Sequence, residues 1–410
     1  MPQQKNSEKT RVKTCSHCYP AHCSQWHWQE HLDDFVNRID SIFFPFKKIL
    51  LKNPKFCSFL LRIILYNFFR VLLFIGIFKE VTIKKGDNCV GGHTLVVVKE
   101  ASQRNIPIKV IKCLGKPTNY FSIIVKGKKK FFEALPTLDL DRVFEIDFDN
   151  KETLKKALKE NNLPVPEGRA FSNQHAGLNY GRQIGFPLVV KPRHGTQSKH
   201  VVVNIQNEKD FLSALKIVKQ INSEFIVERF VSGNVYRATL VDNDLIACCC
   251  REPANVIGDG EHNIAELIEL KNSNPLRGEF NQRSFTLHKL IIEQAVYTLA
   301  ENGLTLQSIP AKEEKIYLGK KVTLTAGADI HDKTEEVHPA NKDLLQRAAK
   351  ICKTPLVGLD FICQDVSLPY YEQDFAIIEA NSVPYISMHH YPTTGKSRNV
   401  AAAILDYLTN

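Results

Sequence analysis

Tryptophan is almost missing from this 410-residue chain: Trp26 and Trp28 are the only two, and both lie in an amino-terminal tail that they could pack against another surface. Internal repeats and long low-complexity linkers are absent as well, which excludes solenoid and linker architectures and predicts a compact core. No serine–histidine–aspartate set is apparent, so the sequence offers no hydrolytic triad. No secretory signal precedes the eleven cysteines. Reduced thiols in a cytoplasmic protein are therefore expected rather than a disulfide framework. Three of them, Cys248-Cys249-Cys250, are adjacent in a predicted strand, where alternation keeps neighbours on opposite faces.

An uninterrupted membrane span is also lacking. Residues 56–78 are mostly aliphatic or aromatic and long enough to cross a bilayer. Arg62 and Arg70, however, would each cost roughly 2.5–3.5 kcal/mol at the centre of a spanning helix. They project from nearly the same side as Ser58 and Tyr66, so an amphipathic helix fits better. Such a helix packs on the rest of the chain, bridges a second copy, or contacts the inner face of a membrane peripherally; protein packing is favoured. The formal charge of +10 is spread along the sequence and gives no nucleic-acid signature. Its one dense run, Lys126-Gly127-Lys128-Lys129-Lys130, reads as a solvated hairpin turn between two strands. Upstream, Cys15, Cys18, Cys23 and His27, with His17, His22 and His31 nearby, have ligand types and spacings compatible with zinc, although not those of a standard finger.

The chain is rich in apolar strands that end in charged residues. One contains Val357-Gly358-Leu359-Asp360-Phe361; another is Ile377-Ile378-Glu379-Ala380-Asn381. Glu379 and Asn381, two apart, share a face. With Asp360 they form an all-oxygen set suited to a hard cation such as Mg²⁺. Polar strand ends facing water are the plainer alternative. Upstream, Phe186-Pro187-Leu188-Val189-Val190-Lys191-Pro192 is a buried strand ending in lysine, followed by a polar loop with one glycine that can fold over phosphates. In Phe225-Ile226-Val227-Glu228-Arg229, Glu228 is an acid inside an apolar strand, placed to accept from an adenine amino group. Asn263-Ile264-Ala265-Glu266 predicts a capping box, and Gly303 a helix stop.

Taken in order, these pieces resemble the ATP-grasp carboxylate–amine ligases, most closely the ATP-grasp domain of cyanophycin synthetase and of fused glutathione synthetases. The likeness runs from about residue 150 to the end. It is carried by Leu163-Pro164-Val165-Pro166-Glu167-Gly168, Val190-Lys191-Pro192, Ile226-Val227-Glu228-Arg229, Arg251-Glu252-Pro253, Glu336-Val337-His338-Pro339, Gly358-Leu359-Asp360, Glu379-Ala380-Asn381-Ser382-Val383-Pro384 and Gly395-Lys396-Ser397-Arg398. The resemblance implies an α/β (α+β) ATP-grasp fold in residues 151–410, with a lid near 164–235. A small α/β domain over 81–150 precedes it, and a tail with an amphipathic helical region fills 1–80.

By the same resemblance Lys151 and Lys191 hold ATP phosphates, while Glu228 and the backbone of Val231 meet adenine. Asp360, Glu379 and Asn381 bind Mg²⁺ or Mn²⁺. Arg251, and less strongly Arg237, act near the transferred phosphoryl group. The implied reaction joins a carboxylate of an amino acid or peptide to an amine through an acyl phosphate, in a homo-oligomer using small-molecule or peptide substrates. A nucleotide-binding scaffold, or a kinase-like enzyme that does not ligate, is the alternative. Departures fall at Ser198-Lys199-His200, where relatives carry more glycine, and at Gly319, Thr323 and Ala328, which predict a different amine side. The further amino-terminal domain and Mur-ligase half of cyanophycin enzymes have no counterpart in the sequence. No base can be named among His338, His389 and His390.

Overall fold

A computed structural model describes residues 67, 70–82, 92–136, 148, 150–193, 200–278, 287–320, 322 and 324–409. The cysteine–histidine tail, most of 56–78, the loop 194–199 and Thr323 lie outside the described residues. Two compact units emerge, one comprising Glu167–Phe230 and the other the described parts of Leu50–Pro166 with Val231–Asn410.

The chain first forms a four-stranded antiparallel sheet from β1 (Phe78–Val81), β2 (Ile108–Cys113), β3 (Lys116–Val125) and β4 (Lys128–Glu133). Alternation gives it one apolar face, where Ile108, Val110, Phe121, Ile123 and Phe132 pack against helix Gly92–Gln103 through Leu95, Val98 and Ala101. The lysine run departs from expectation here. Lys126 and Gly127, both at positive φ, make the turn, but Lys128, Lys129 and Lys130 belong to β4. Strand pairing captured them because each faces a β3 partner.

The smaller unit is a second antiparallel sheet in the order β5, β8, β6, β7 (Gly168–Phe171, Phe225–Arg229, Leu188–Pro192, Val202–Ile205). Helices Gln174–Ile184 and Glu208–Val218 cover it, capped by Asn173 and Asn207, whose side chains accept backbone N–H groups. Gly168 is obligatory in this sheet. A Cβ there would lie 2.5 Å from Glu228 Cγ, so only glycine lets β5 close on β8.

The larger unit is centred on an antiparallel sheet ordered β15, β10, β9, β16, β17, formed by Asp329–Asp332, Asp244–Glu252, Asn234–Val241, Leu356–Cys363 and Phe375–Asn381. One face packs on helices Lys151–Glu160 and Pro339–Cys352 through Leu154, Leu158, Leu344 and Leu345. Asn150 caps the first of these helices, which sets Lys151 at its opening turn. The two-stranded pairs β11–β14 (Asn255–Ile257, Lys315–Tyr317) and β12–β13 (Arg277–Gly278, Leu287–His288) complete the strands among the described residues. β11 and β14 share a separate apolar cluster with helices Ile264–Asn272 and Ile292–Glu301. The first of those helices opens with the expected capping box on Asn263 and Glu266. Gly303, at φ +70°, follows the second.

The cysteine triplet lies in β10 as expected. Cys248 joins the cluster beneath helix Pro339–Cys352, and Cys249 faces the other way, toward Met388. Burial pushes both thiols above their ordinary range, leaving them as inert core groups.

Candidate active site

β9, β10, β16 and β17 converge on one buried charge cluster. Asp360 pairs across the sheet with Arg237 on one side and Glu379 on the other. Arg237 grips it in a two-pronged pair, its Nε donating to Oδ1 and a terminal nitrogen donating to Oδ2 at 2.9 Å. Arg251, from β10, reaches the same Oδ2 at 3.0 Å. Both arginines are drawn inward on one carboxylate. Burial pushes the Asp360 carboxyl up, and Arg237 and Arg251 more than reverse this, holding it below the usual carboxylate range. A group lowered in this way stabilises the fold fully above the unfolded value of about 4. That contribution is lost as pH falls through the lower folded value.

Close packing holds the arginine in place. Gly358, two residues before Asp360, lies directly under Arg237: an added Cβ would meet a terminal nitrogen at 2.8 Å and Pro384 Cβ at 2.7 Å. Gly358→Ala is therefore expected to displace the guanidinium and cost about 1–3 kcal/mol by overpacking. Denaturant titration would check the cost, and a loss under 0.5 kcal/mol would contradict the packing account.

Glu379 and Asn381 occupy β17 as alternation requires, and a bulge beside Asp360 leaves Ile378 as the extra residue. Lys151 Nζ lies 4.0 Å from Glu379 Oε1. The Asn381 amide nitrogen is buried without a hydrogen-bond acceptor, as is Arg251 Nε. Buried polar atoms of this kind normally have partners; both are N–H donors, which acceptor oxygens of an anionic ligand such as a phosphate would satisfy. Two carboxylates and an amide oxygen on neighbouring strands are donor types that suit Mg²⁺, although both Asp360 oxygens here are held by arginines. Among the described residues no group of three or more His, Cys, Asp or Glu is arranged to hold a metal ion.

Lys191 and Glu228 meet in the smaller unit. Lys191 Nζ donates to Glu228 Oε2 at 2.8 Å, with both side chains nearly enclosed. The ion pair orients the Glu228 carboxylate within the sheet. Val231 follows β8 and opens the second stretch of the larger unit.

The histidines behave differently from one another. His338 caps helix Pro339–Cys352, its Nδ1 accepting from Ala340 N–H. His390 Nε2 accepts from Ala401 N–H at 3.3 Å. His389 is fully buried, with Nε2 2.9 Å from Thr239 Oγ1, and burial depresses it to about 3. A buried neutral histidine binds protons more readily when unfolded, so stability declines as pH drops below about 6.5. At pH 5 this amounts to about 2 kcal/mol for such a group. His389→Gln is accordingly expected to flatten the fall in urea midpoint between pH 7 and pH 5; an unchanged slope would contradict it.

A second buried cluster went unnoticed in the sequence. Asp329 binds Arg277, Lys271 at 2.5 Å and Asn255 at 3.0 Å. Its members are far apart along the chain and carry no local motif. Gly358 had a signal, its fixed place in Gly358-Leu359-Asp360, but not its reason.

No family model matches the chain. It is 33% identical over 332 residues to the cyanophycin synthetase of Trichormus variabilis, covering 78% of this chain and 35% of that protein. It is 29% identical over 321 residues to the glutathione biosynthesis bifunctional protein of Clostridium perfringens, covering 77% and 41%. The crystal structure of a bifunctional glutathione synthetase from Pasteurella multocida superposes with a TM-score of 0.61 at 27% identity, over 78% of this chain and 43% of that one. The chain belongs to the ATP-grasp family. It spans about a third of the length of the cyanophycin synthetases it matches. Among its described residues, no helix is long and apolar enough to cross a membrane.

Proposed function

We propose that this ATP-grasp chain is an ATP-dependent ligase that forms an amide bond between the carboxylate of an amino acid or peptide and an amine. The observation that carries this reading is the convergence of Arg237 and Arg251 on Asp360, next to Glu379 on the neighbouring strand. The similarity to cyanophycin and glutathione synthetases supports it.

A free carboxylate does not yield an amide in water because its oxygen leaves poorly. Transfer of the ATP γ-phosphoryl group to a carboxylate oxygen gives an acyl phosphate and ADP. The amine then attacks the acyl carbon, the C–O bond breaks and phosphate departs. The protein's task is positioning and charge stabilisation. Lys151 and Lys191 offset charge on the phosphates, and Glu228 with the Val231 backbone holds adenine. Asp360, Glu379 and Asn381 would hold a divalent ion such as Mg²⁺, which would supply neutralisation of phosphate charge. Arg251, its terminal nitrogen anchored on Asp360, presents Nε toward developing charge; Arg237 fixes that anchor.

A panel of paired amino acids and dipeptides, scored for amine-stimulated phosphate release and for product mass, tests the reading. Release that requires both an acid and an amine, with a product lighter than the two together by one water, supports it. Phosphorylated acid without condensation, or nucleotide binding without turnover, overturns it.

A further inference from the structure

The small sheet carries a surface that its own folding does not explain. Leu114, in the turn from β2 to β3, is 76% exposed and sits at φ +48°. That turn position favours Asn or Gly, so a leucine there is unfavourable in backbone and in solvation alike. Its N–H donates to Ile77 O at 2.8 Å. This bond brings the turn beside the end of the helical residues 70–74, where Phe74 is 91% exposed and Val71 and Ile75 are also exposed. Four large apolar side chains therefore project from two adjoining tips.

The charge at this end of the sheet is mainly basic. Arg70, Lys79, Lys112 and Lys116 lie toward the tips, against the acidic Glu80 and Glu133, whereas Lys126, Lys128, Lys129 and Lys130 lie at the opposite end of β3. Glu80 is already engaged by Ser122 Oγ at 2.7 Å and Lys129. Lys79 and Lys112 are direct cross-strand partners, an arrangement that like-charge repulsion makes unfavourable within a sheet. Lys116 lies next to the turn and is exposed.

We infer that these tips and their basic surround dock on the surface of an anionic phospholipid bilayer. Leu114, Phe74 and Ile75 enter the headgroup–acyl boundary, while Lys79, Lys112 and Lys116 face lipid phosphates and carboxylates. A protein partner would be met more naturally by a groove or a flat apolar patch than by projecting tips ringed with lysine. Nothing in this inference rests on the ligase reading.

Sedimentation of the full chain with vesicles tests it, using phosphatidylcholine alone and phosphatidylcholine containing 30% phosphatidylserine (roughly the charge density of an anionic leaflet). Binding to the anionic vesicles, weakened by salt and absent on neutral ones, is expected. Leu114→Asn, which suits the positive φ, and Phe74→Ser should each lower partitioning at least tenfold, and Lys79→Glu with Lys112→Glu should abolish it. Thermal midpoints confirm that each variant is folded. Absence of binding, equal binding to neutral vesicles, or unchanged partitioning of the variants would overturn the inference. So would variants that alter only self-association of the chain, because the surface would then belong to a protein interface.

Discussion

Glu379→Ala is expected to reduce amine-stimulated phosphate release by about 10³-fold or more while leaving the thermal midpoint within a few degrees. Glu379 lies at the half-exposed end of β17, with Lys151 Nζ 4.0 Å away and Asp360 opposite. Its loss removes a carboxylate from the proposed ion and a neighbour from a proposed phosphate-binding lysine, but no apolar core. The contrast between a large kinetic effect and a small thermal one is what distinguishes a site residue from a structural one. Turnover within threefold of the parent would sink the metal assignment. A collapse of the midpoint would show that the carboxylate serves folding instead. Steady-state phosphate release over a range of Mg²⁺ concentrations supplies the first number and a melting curve the second.

Asp360→Asn should behave in the opposite way and lower stability by about 3–5 kcal/mol. Arg237 and Arg251 are held in the interior by this one carboxylate, and an amide of the same shape leaves two guanidinium groups without a counter-charge. Removing partners together should be milder: Arg237→Met with Asp360→Leu is expected to recover at least 1 kcal/mol relative to the sum of the single changes. Denaturant titrations of the four proteins close the cycle. A coupling energy near zero would show that the arginines find other partners. Activity should be lost in both variants that lack Asp360, because Arg251 loses its anchor along with the proposed ion. The parent's acid limb gives an independent reading: the Asp360 contribution disappears only as pH falls below the ordinary carboxylate range.

Much of the site was legible before any coordinates because strand periodicity places residues two apart on one face. Glu379 and Asn381 required nothing more, and Asp360 lies in a second apolar run that could pair with theirs. The ATP-grasp likeness was similarly open to reading, since its pieces are short, ordered and local. Lys191 and Glu228 stood out as charged residues within apolar strands, but their mutual ion pair depends on β6 and β8 being neighbours. No spacing in the sequence states that.

Local chemistry alone determined the alternation of the strands, the capping box at Asn263 and the turn glycines, because each depends on residues within a few positions of one another. The tertiary structure decided which charges meet. Arg237, Arg251 and Asp360 come from three strands, and Asp329 gathers Lys271, Arg277 and Asn255 from across the chain. Neighbouring charge then sets the ionisation of Asp360: the same aspartate is an ordinary acid in water and a held anion beneath two guanidinium groups. A histidine that would titrate near neutrality on a loop stays uncharged when enclosed beside Thr239. Sheet order and desolvation act over the whole fold, which is why neither was visible in the linear sequence.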